Sequence, residues 1–252
     1  MASCRLGKMS RYGKLCTIVY DLDKPLATPA ETTVYTQFAA AKTDAILEPM
    51  CGSGRFLVPL AQQGYNVTGF DISEHMLAAC RRRCAALGLS PILFQADVTG
   101  FQAPDRYQCV FIPFGSLSLL LSDTDFLAAL AQIRGSLKEK GVFVFAFLGP
   151  DTNMEETADW EETINYPLGD ARIVCLQRAA FRKRDAVWDI KLRYEIRRGG
   201  EVLETEDQDF PVKLRDDDFV TGALERTGFT DIGTPAGVPS SCRFHVLKGG
   251  AV

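Results

Sequence analysis

Between residues 44 and 149, five short apolar runs alternate with segments of helical spacing, and no other feature restricts the fold of this chain as much. The runs are "DAILEP", "YNVTGFD", "PILFQAD", "YQCVFIPF" and "VFVFAFLG". Parallel strands need crossover connections, usually helices, so strands rich in Val, Ile and Phe that alternate with amphipathic helices specify a parallel sheet covered on both faces. The fourth and fifth runs are apolar on both faces, as central parallel strands are. The helices read as "GRFLVPLAQQG", ending at Gly64, and "SEHMLAACRRRCAALG", with Ser73 as N-cap and Gly88 as its stop. A third, "SDTDFLAALAQIRGSLKEKG", is capped at Ser122 and closed by Gly141. Upstream, Thr28 followed by Pro29 opens a helix over 29–42, and residues 1–27 are mixed and polar, with a break at Pro25.

After Gly149 the pattern changes. Long alternating stretches around a Gly199-Gly200 turn predict three antiparallel strands, at about 171–183, 186–198 and 201–213. A helix "RDDDFVTGALERTGF", a short strand "TDIGTP" and a last strand "CRFHVLKG" complete the plan. The expectation is a doubly wound α/β sheet of seven strands with an antiparallel insertion, about 151–213, after strand 5. Residues 1–43 form a helical segment ahead of the main domain, 44–252.

The chain has 252 residues, 46% of them hydrophobic, enough for one substantial core. With 28 basic and 32 acidic residues the net charge is −4, which argues against a polyanion-binding face and hence a nucleic-acid partner. The one dense basic cluster, Arg81-Arg82-Arg83, reads as a solvated helix face. No apolar run approaches the roughly 18–20 residues that span a bilayer, and the basic N-terminus has no apolar run behind it. No membrane association and a cytoplasmic location are expected. Eight cysteines form no CxxC pair and read as small core residues or free thiols. Cys80 and Cys84 lie four apart, but Leu87 stands where a third ligand would fall. His75 and His245 are isolated. No metal site is expected.

The chemistry concentrates in "AILEPMCGSGRFLVPLAQQGYNVTGFDIS", 45–73. Strand 1 ends in Glu48, a glycine turn follows, and strand 2 ends in Asp71. Parallel sheets bind ligands at the carboxyl ends of their strands, and glycines there let a ligand approach the backbone. The dinucleotide fingerprint GxGxxG fails at Met50 and Arg55, and no phosphate-cradling lysine follows. An acid closing strand 2 suits a ribose diol, since a carboxylate accepts from two vicinal hydroxyls. The expected ligand is a nucleoside whose binding does not depend on a pyrophosphate.

These residues, with "ADV", "CVFIPFGSLSLL" and "LKEKGVFVF", resemble the class I S-adenosylmethionine-dependent methyltransferases over residues 44–149. The resemblance implies a Rossmann-like sheet and S-adenosyl-L-methionine as cofactor. It implies Glu48 near the methionine amino group, and Cys51, Gly52 and Gly54 along the methionine and ribose. Asp71 would hold the ribose hydroxyls, Ile72 and Met76 the adenine faces, and Asp97 the adenine amino group beside Val98. Pro113, Phe114 and Ser116, from "IPFGS", would sit under the transferring methyl group. The family often has glycine where this chain has Met50.

Methyltransferases acting on nucleic-acid amines usually carry [DN]PP[YF] after strand 4. Here Ile112-Pro113-Phe114-Gly115 has no such polar side chain. The resemblance is closest to small-molecule N- and O-methyltransferases with an antiparallel insertion. It implies a small-molecule acceptor and a monomer or homodimer, with Phe114, Ser116 and Leu117 as pocket floor. Tyr12 and Tyr20 would belong to a lid and are candidate bases, and Trp188, Tyr194 and Phe210 would form a wall or dimer contact. A nitrogen acceptor needs no base before attack, which favours N-methylation of a polar or heterocyclic metabolite by direct in-line transfer. O-methylation, a protein substrate, aminopropyl transfer and a non-catalytic partner subunit are the alternatives.

Overall fold

A computed structural model describes residues 12–39, 41–103, 106–152, 154–233 and 243–249. Residues 1–11, the end of "TDIGTP", Cys4 and Cys242 lie outside the described residues. Two helices come first, α1 (Lys14–Asp23) and α2 (Pro29–Thr36). The alternating region then gives β1 (Ile46–Pro49), α3 (Leu57–Gln62), β2 (Val67–Asp71), α4 (Glu74–Ala86), β3 (Ile92–Gln95), β4 (Tyr107–Ile112), α5 (Asp123–Ser136) and β5 (Leu137–Phe147). Downstream lie β6 (Thr157–Leu168), β7 (Ala171–Arg182), β8 (Val187–Arg198), β9 (Glu201–Asp209), β10 (Val212–Lys213), α6 (Asp217–Arg226), β11 (Phe229–Gly233) and β12 (Arg243–Gly249).

The main sheet has seven strands in the order β11-β12-β5-β4-β1-β2-β3. Strands β1 to β5 pair in parallel, and β12 runs antiparallel to both β5 and β11. Strand order reverses beside β1, which opens a crevice at the carboxyl ends of β1 and β4. Every residue of β1 and β2 is buried, because helices cover both faces. Phe70, Phe143 and Phe145 pack on one face against α5 and α6, and Ile46, Val67 and Phe111 pack on the other against α2, α3 and α4.

Local chemistry sets the helix starts. Thr28 and Glu31 form a reciprocal capping box with Pro29 in the first turn. Ser73 accepts from the Met76 N–H, Ser122 from Asp125 and Asp216 from Phe219. Two helix ends differ from the sequence expectation. The helix expected over 29–42 stops at Thr36, and the one expected to close at Gly141 stops at Ser136. Leu137 pairs with Tyr107 instead, so the stretch joins β5. Gly141 marks a register shift in that pairing, where a Cβ would lie 2.8 Å from the Tyr107 carbonyl oxygen.

The insertion is larger than the three strands read from sequence. β6 pairs antiparallel with β7, β7 with β8, and β8 with both β9 and β10. The run expected over 201–213 breaks at Phe210-Pro211, since proline cannot donate to the ladder. One face of this second sheet, with Ile173, Cys175 and Tyr194, packs against Leu15, Cys16 and Val19 of α1. Among the described residues, no helix is long and apolar enough to cross a membrane.

Candidate active site

A cavity of about 300 Å³ opens at the carboxyl ends of β1, β2 and β4, with Tyr20 of α1 in its wall. Of the residues expected to bind the cofactor or to act at the methyl group, all but Gly54 line it: Tyr12 and Tyr20 on one side, the β1 and β2 termini below, Asp97 and Val98 after β3, and Pro113, Phe114 and Ser116 after β4. The residues expected at the cofactor and those expected at the acceptor thus line one space.

The floor is set by backbone geometry. Met50, directly after β1, has a left-handed φ of 58°. That is the conformation a glycine would supply at no cost, so the family's glycine and this methionine answer the same turn. Gly52 follows with φ 54° and donates its N–H to Asp71 Oδ2 at 2.9 Å. Ser73 N–H donates to Asp71 Oδ1 at 2.8 Å. Each carboxylate oxygen is therefore oriented by one backbone donor and retains acceptor capacity. Burial pushes the Asp71 pKa up, and the backbone hydrogen bonds oppose that rise.

Gly54 has a different reason to be glycine. Its φ is 84°, and a Cβ there would lie 2.6 Å from Cys80 Sγ and 2.8 Å from Val58 Cγ2. It lets the turn seat against α4 and does not line the cavity.

Glu48 is 2% exposed. Burial, with Cys80 and Asp71 nearby, drives its pKa well above the ordinary carboxylate value, and the Leu57 N–H and Arg55 pull the other way. Its Oε2 is buried without a hydrogen-bond partner among the described residues. A buried carboxylate with a free oxygen at a cavity wall suits an ammonium ligand, so the donor set fits the methionine end of the cofactor. Asp97 Oδ1 accepts from the Thr99 N–H and hydroxyl at 2.9 and 2.8 Å, which fixes its turn beside Val98.

The β4 side of the cavity is aromatic. Phe114 is 57% exposed and has φ 54°, with Gly115 next at φ 70°. Two left-handed residues in succession swing the Phe114 ring off the end of β4 and over the Arg55 guanidinium, 4.6 Å from the ring centroid. Ser116 donates its hydroxyl to the Pro113 carbonyl at 3.1 Å, so its proton braces this turn. Tyr12 packs edge-on against Tyr20 and Phe210. Burial pushes the Tyr20 pKa up to about 12, which opposes loss of its proton at neutral pH.

Several expectations are corrected here. Leu117 is fully buried in the core beneath the floor and does not line the cavity. Trp188, Tyr194 and Phe210 do not line it either: Trp188 packs at the base of the second sheet, Tyr194 under α1, and Phe210 behind Tyr12. Arg81 and Arg82 are solvated, but Arg83 is half-buried. It donates to the Ser53 hydroxyl at 3.1 Å and pairs with Asp21 of α1 at 3.0 Å. Sequence reasoning missed Arg55 and the Leu119–Asp125 rim. A basic residue opening an apolar helix was the available signal for Arg55; nothing local marked the rim. His245 stacks between Phe145 and Phe147, a packing role. Among the described residues, no group of three or more His, Cys, Asp or Glu is placed to hold a metal ion.

Residues 46–141 match the family described as a methyltransferase domain. A protein of Geobacillus sp. (strain WCH70), named as a methyltransferase, is 33% identical over 109 residues, which are 43% of this chain and 44% of that protein. YqeM of Bacillus subtilis (strain 168), also named as a methyltransferase, is 29% identical over 160 residues, 59% of this chain and 62% of its own. The chain thus spans less than two thirds of the length of these curated relatives. In fold it is similar to the sugar N-methyltransferase KedS8 from Streptoalloteichus sp. ATCC 53650, with a TM-score of 0.74 and 22% identity over 100% of this chain and 99% of that one. Residues 46–141 thus carry a methyltransferase domain, and these similarities support a class I S-adenosylmethionine-dependent methyltransferase family.

Proposed function

We propose that the protein is an S-adenosylmethionine-dependent methyltransferase that methylates a nitrogen of a small polar or heterocyclic metabolite. The observation that carries the reading is the convergence of Glu48 and Asp71 on one cavity with an aromatic rim of Tyr12, Tyr20 and Phe114. Its volume of about 300 Å³ lies at the lower end of small-molecule sites. Asp71, held by two backbone donors, would accept the ribose diol. Glu48 would take the methionine ammonium, Ile72 and Met76 would flank the adenine, and Asp97 would accept from its amino group. The similarity in fold to a sugar N-methyltransferase supports a small acceptor and a nitrogen nucleophile.

When bound, the cofactor supplies a methyl group on a positively charged sulfur, already activated for displacement. The chain's task is then alignment and exclusion of water. Phe114 presents an apolar wall on the acceptor side, and α1 acts as the lid that closes the cavity. Tyr20, protonated at neutral pH, would orient an acceptor by donating a hydrogen bond. A neutral amine attacks with its own lone pair and needs no base beforehand, which agrees with a cavity whose buried tyrosine resists deprotonation.

The test is incubation of the protein with methyl-labelled S-adenosylmethionine and a cell extract, followed by separation of small from large molecules. Label in a small amine product supports the reading. Label confined to protein or nucleic acid overturns the acceptor class.

A further inference from the structure

Arg55 is the only basic side chain lining the cavity among the described residues. Its side chain is 13% exposed, and Nη2 donates to Glu31 Oε1 of α2 at 2.7 Å. The Phe56 and Phe114 rings lie 5.0 and 4.6 Å from the guanidinium carbon. One corner is tied and the aromatic rings restrict the plane, so the remaining donors are presented in a fixed direction. Those donors, Nε and Nη1, are buried and have no hydrogen-bond partner among the described residues. Buried donors call for an acceptor, and a rigid guanidinium fork matches a carboxylate.

Glu48 shows the same condition with the opposite sign, a buried Oε2 without a partner. The two residues flank the glycine turn, and the Arg55 charge acts on both Glu48 and Tyr20. An unmatched carboxyl and an unmatched guanidinium in one cavity are satisfied together by a ligand carrying an ammonium and a carboxylate on one carbon. We propose that Arg55 is the carboxylate-binding residue of this cavity, and that Glu48 and Arg55 together receive an α-amino-acid group. This rests on the methyltransferase reading, since the methionine end of the cofactor carries that group. The Glu31 ion pair then has a defined part: it holds Arg55 from outside and leaves the inner edge for the ligand.

The experiment is calorimetric titration of the full chain with three nucleosides. S-adenosylhomocysteine carries both charged groups, its decarboxylated analogue carries only the ammonium, and 5′-methylthioadenosine carries neither. Wild-type affinity should fall at each step. Arg55→Gln should weaken S-adenosylhomocysteine by about tenfold or more and leave the other two within roughly twofold. Arg55→Lys should recover part of the loss, and Glu31→Gln, which loosens the outer tie on Arg55, should weaken S-adenosylhomocysteine by less than Arg55→Gln does and leave the other two within roughly twofold. Thermal unfolding of each variant without ligand reports on the fold. Equal wild-type affinity for S-adenosylhomocysteine and its decarboxylated analogue overturns the proposal without any variant. So does an Arg55→Gln effect shared by all three ligands, or absent for S-adenosylhomocysteine. A wild-type protein that binds none of the three overturns the methyltransferase reading itself, and this proposal with it.

Discussion

The Gly52 backbone N–H donates to Asp71 Oδ2 at 2.9 Å, and this bond joins the turn after β1 to the end of β2. The carboxylate that would hold the ligand therefore also shapes the loop the ligand lies on. Asp71→Ala should accordingly do two things. Loss of two charge-assisted backbone bonds should lower stability by about 1–3 kcal/mol. S-adenosylhomocysteine affinity should fall by more than about tenfold. Asp71→Asn, which keeps an acceptor oxygen, should retain more stability than Asp71→Ala while still losing affinity. Denaturant unfolding and calorimetry on the same samples separate the two effects.

Glu48 should make the ligand-free protein sensitive to pH. Its folded pKa is raised above the ordinary value of 4.5, chiefly by burial. A carboxyl of this kind favours the folded state when protonated. Its contribution is fully present below the unfolded value and is lost as pH rises through the folded one. Glu48→Gln should therefore raise the melting temperature of the ligand-free protein at pH 8 and flatten that part of the pH profile above 4.5, while weakening S-adenosylhomocysteine. Melting curves from pH 5 to 8 test the sign. A variant less stable than wild type at pH 8 would refute it.

Gly54 separates packing from binding. With φ at 84° and Cys80 Sγ 2.6 Å from an added Cβ, Gly54→Ala should cost about 2 kcal/mol or more in stability through backbone strain and overpacking. Any loss of ligand affinity should follow the loss of folded protein. An alanine variant of full stability with impaired binding would show that Gly54 contacts the ligand after all.

The helix over the cavity is held by the insertion. Glu206 of β9 accepts from the Leu15 and Cys16 N–H groups, each at 3.0 Å, and so caps α1 from more than 180 residues away. Gly13 must be small, because a Cβ there would sit 2.5 Å from the Glu206 carboxylate. Glu206→Gln should weaken this cap, and Glu206→Ala should remove it at a cost of about 1 kcal/mol. Amide exchange in α1 should quicken in the order wild type, Gln, Ala. Uniform protection across the three would show that α1 is held by its apolar face alone.

The sequence made the parallel core readable because its signals are local. Strand ends, caps at Thr28, Ser73 and Ser122, and acids at Glu48 and Asp71 all lie within a few residues of the structure they specify. β6 escaped notice because its alternation is covered by polar residues on both faces, Asp159, Glu161 and Glu162 among them. The packing of α1 depends on Ile173, Tyr194 and Glu206, partners that no local window contains. The sequence reads Leu117 as pocket floor and Trp188 as a wall or dimer contact, whereas burial puts both in the core. Arg55 was visible as a letter, but its two unpartnered nitrogens are a property of the folded chain alone.

The central claim is that the crevice beside β1 holds an adenosyl amino acid in one orientation. A crystal structure of the protein with S-adenosylhomocysteine tests it most directly. The account predicts the ribose diol on Asp71, the ammonium on Glu48 and the adenine between Ile72 and Met76. A nucleoside bound elsewhere, or reversed so that the adenine lies against Glu48, would contradict it.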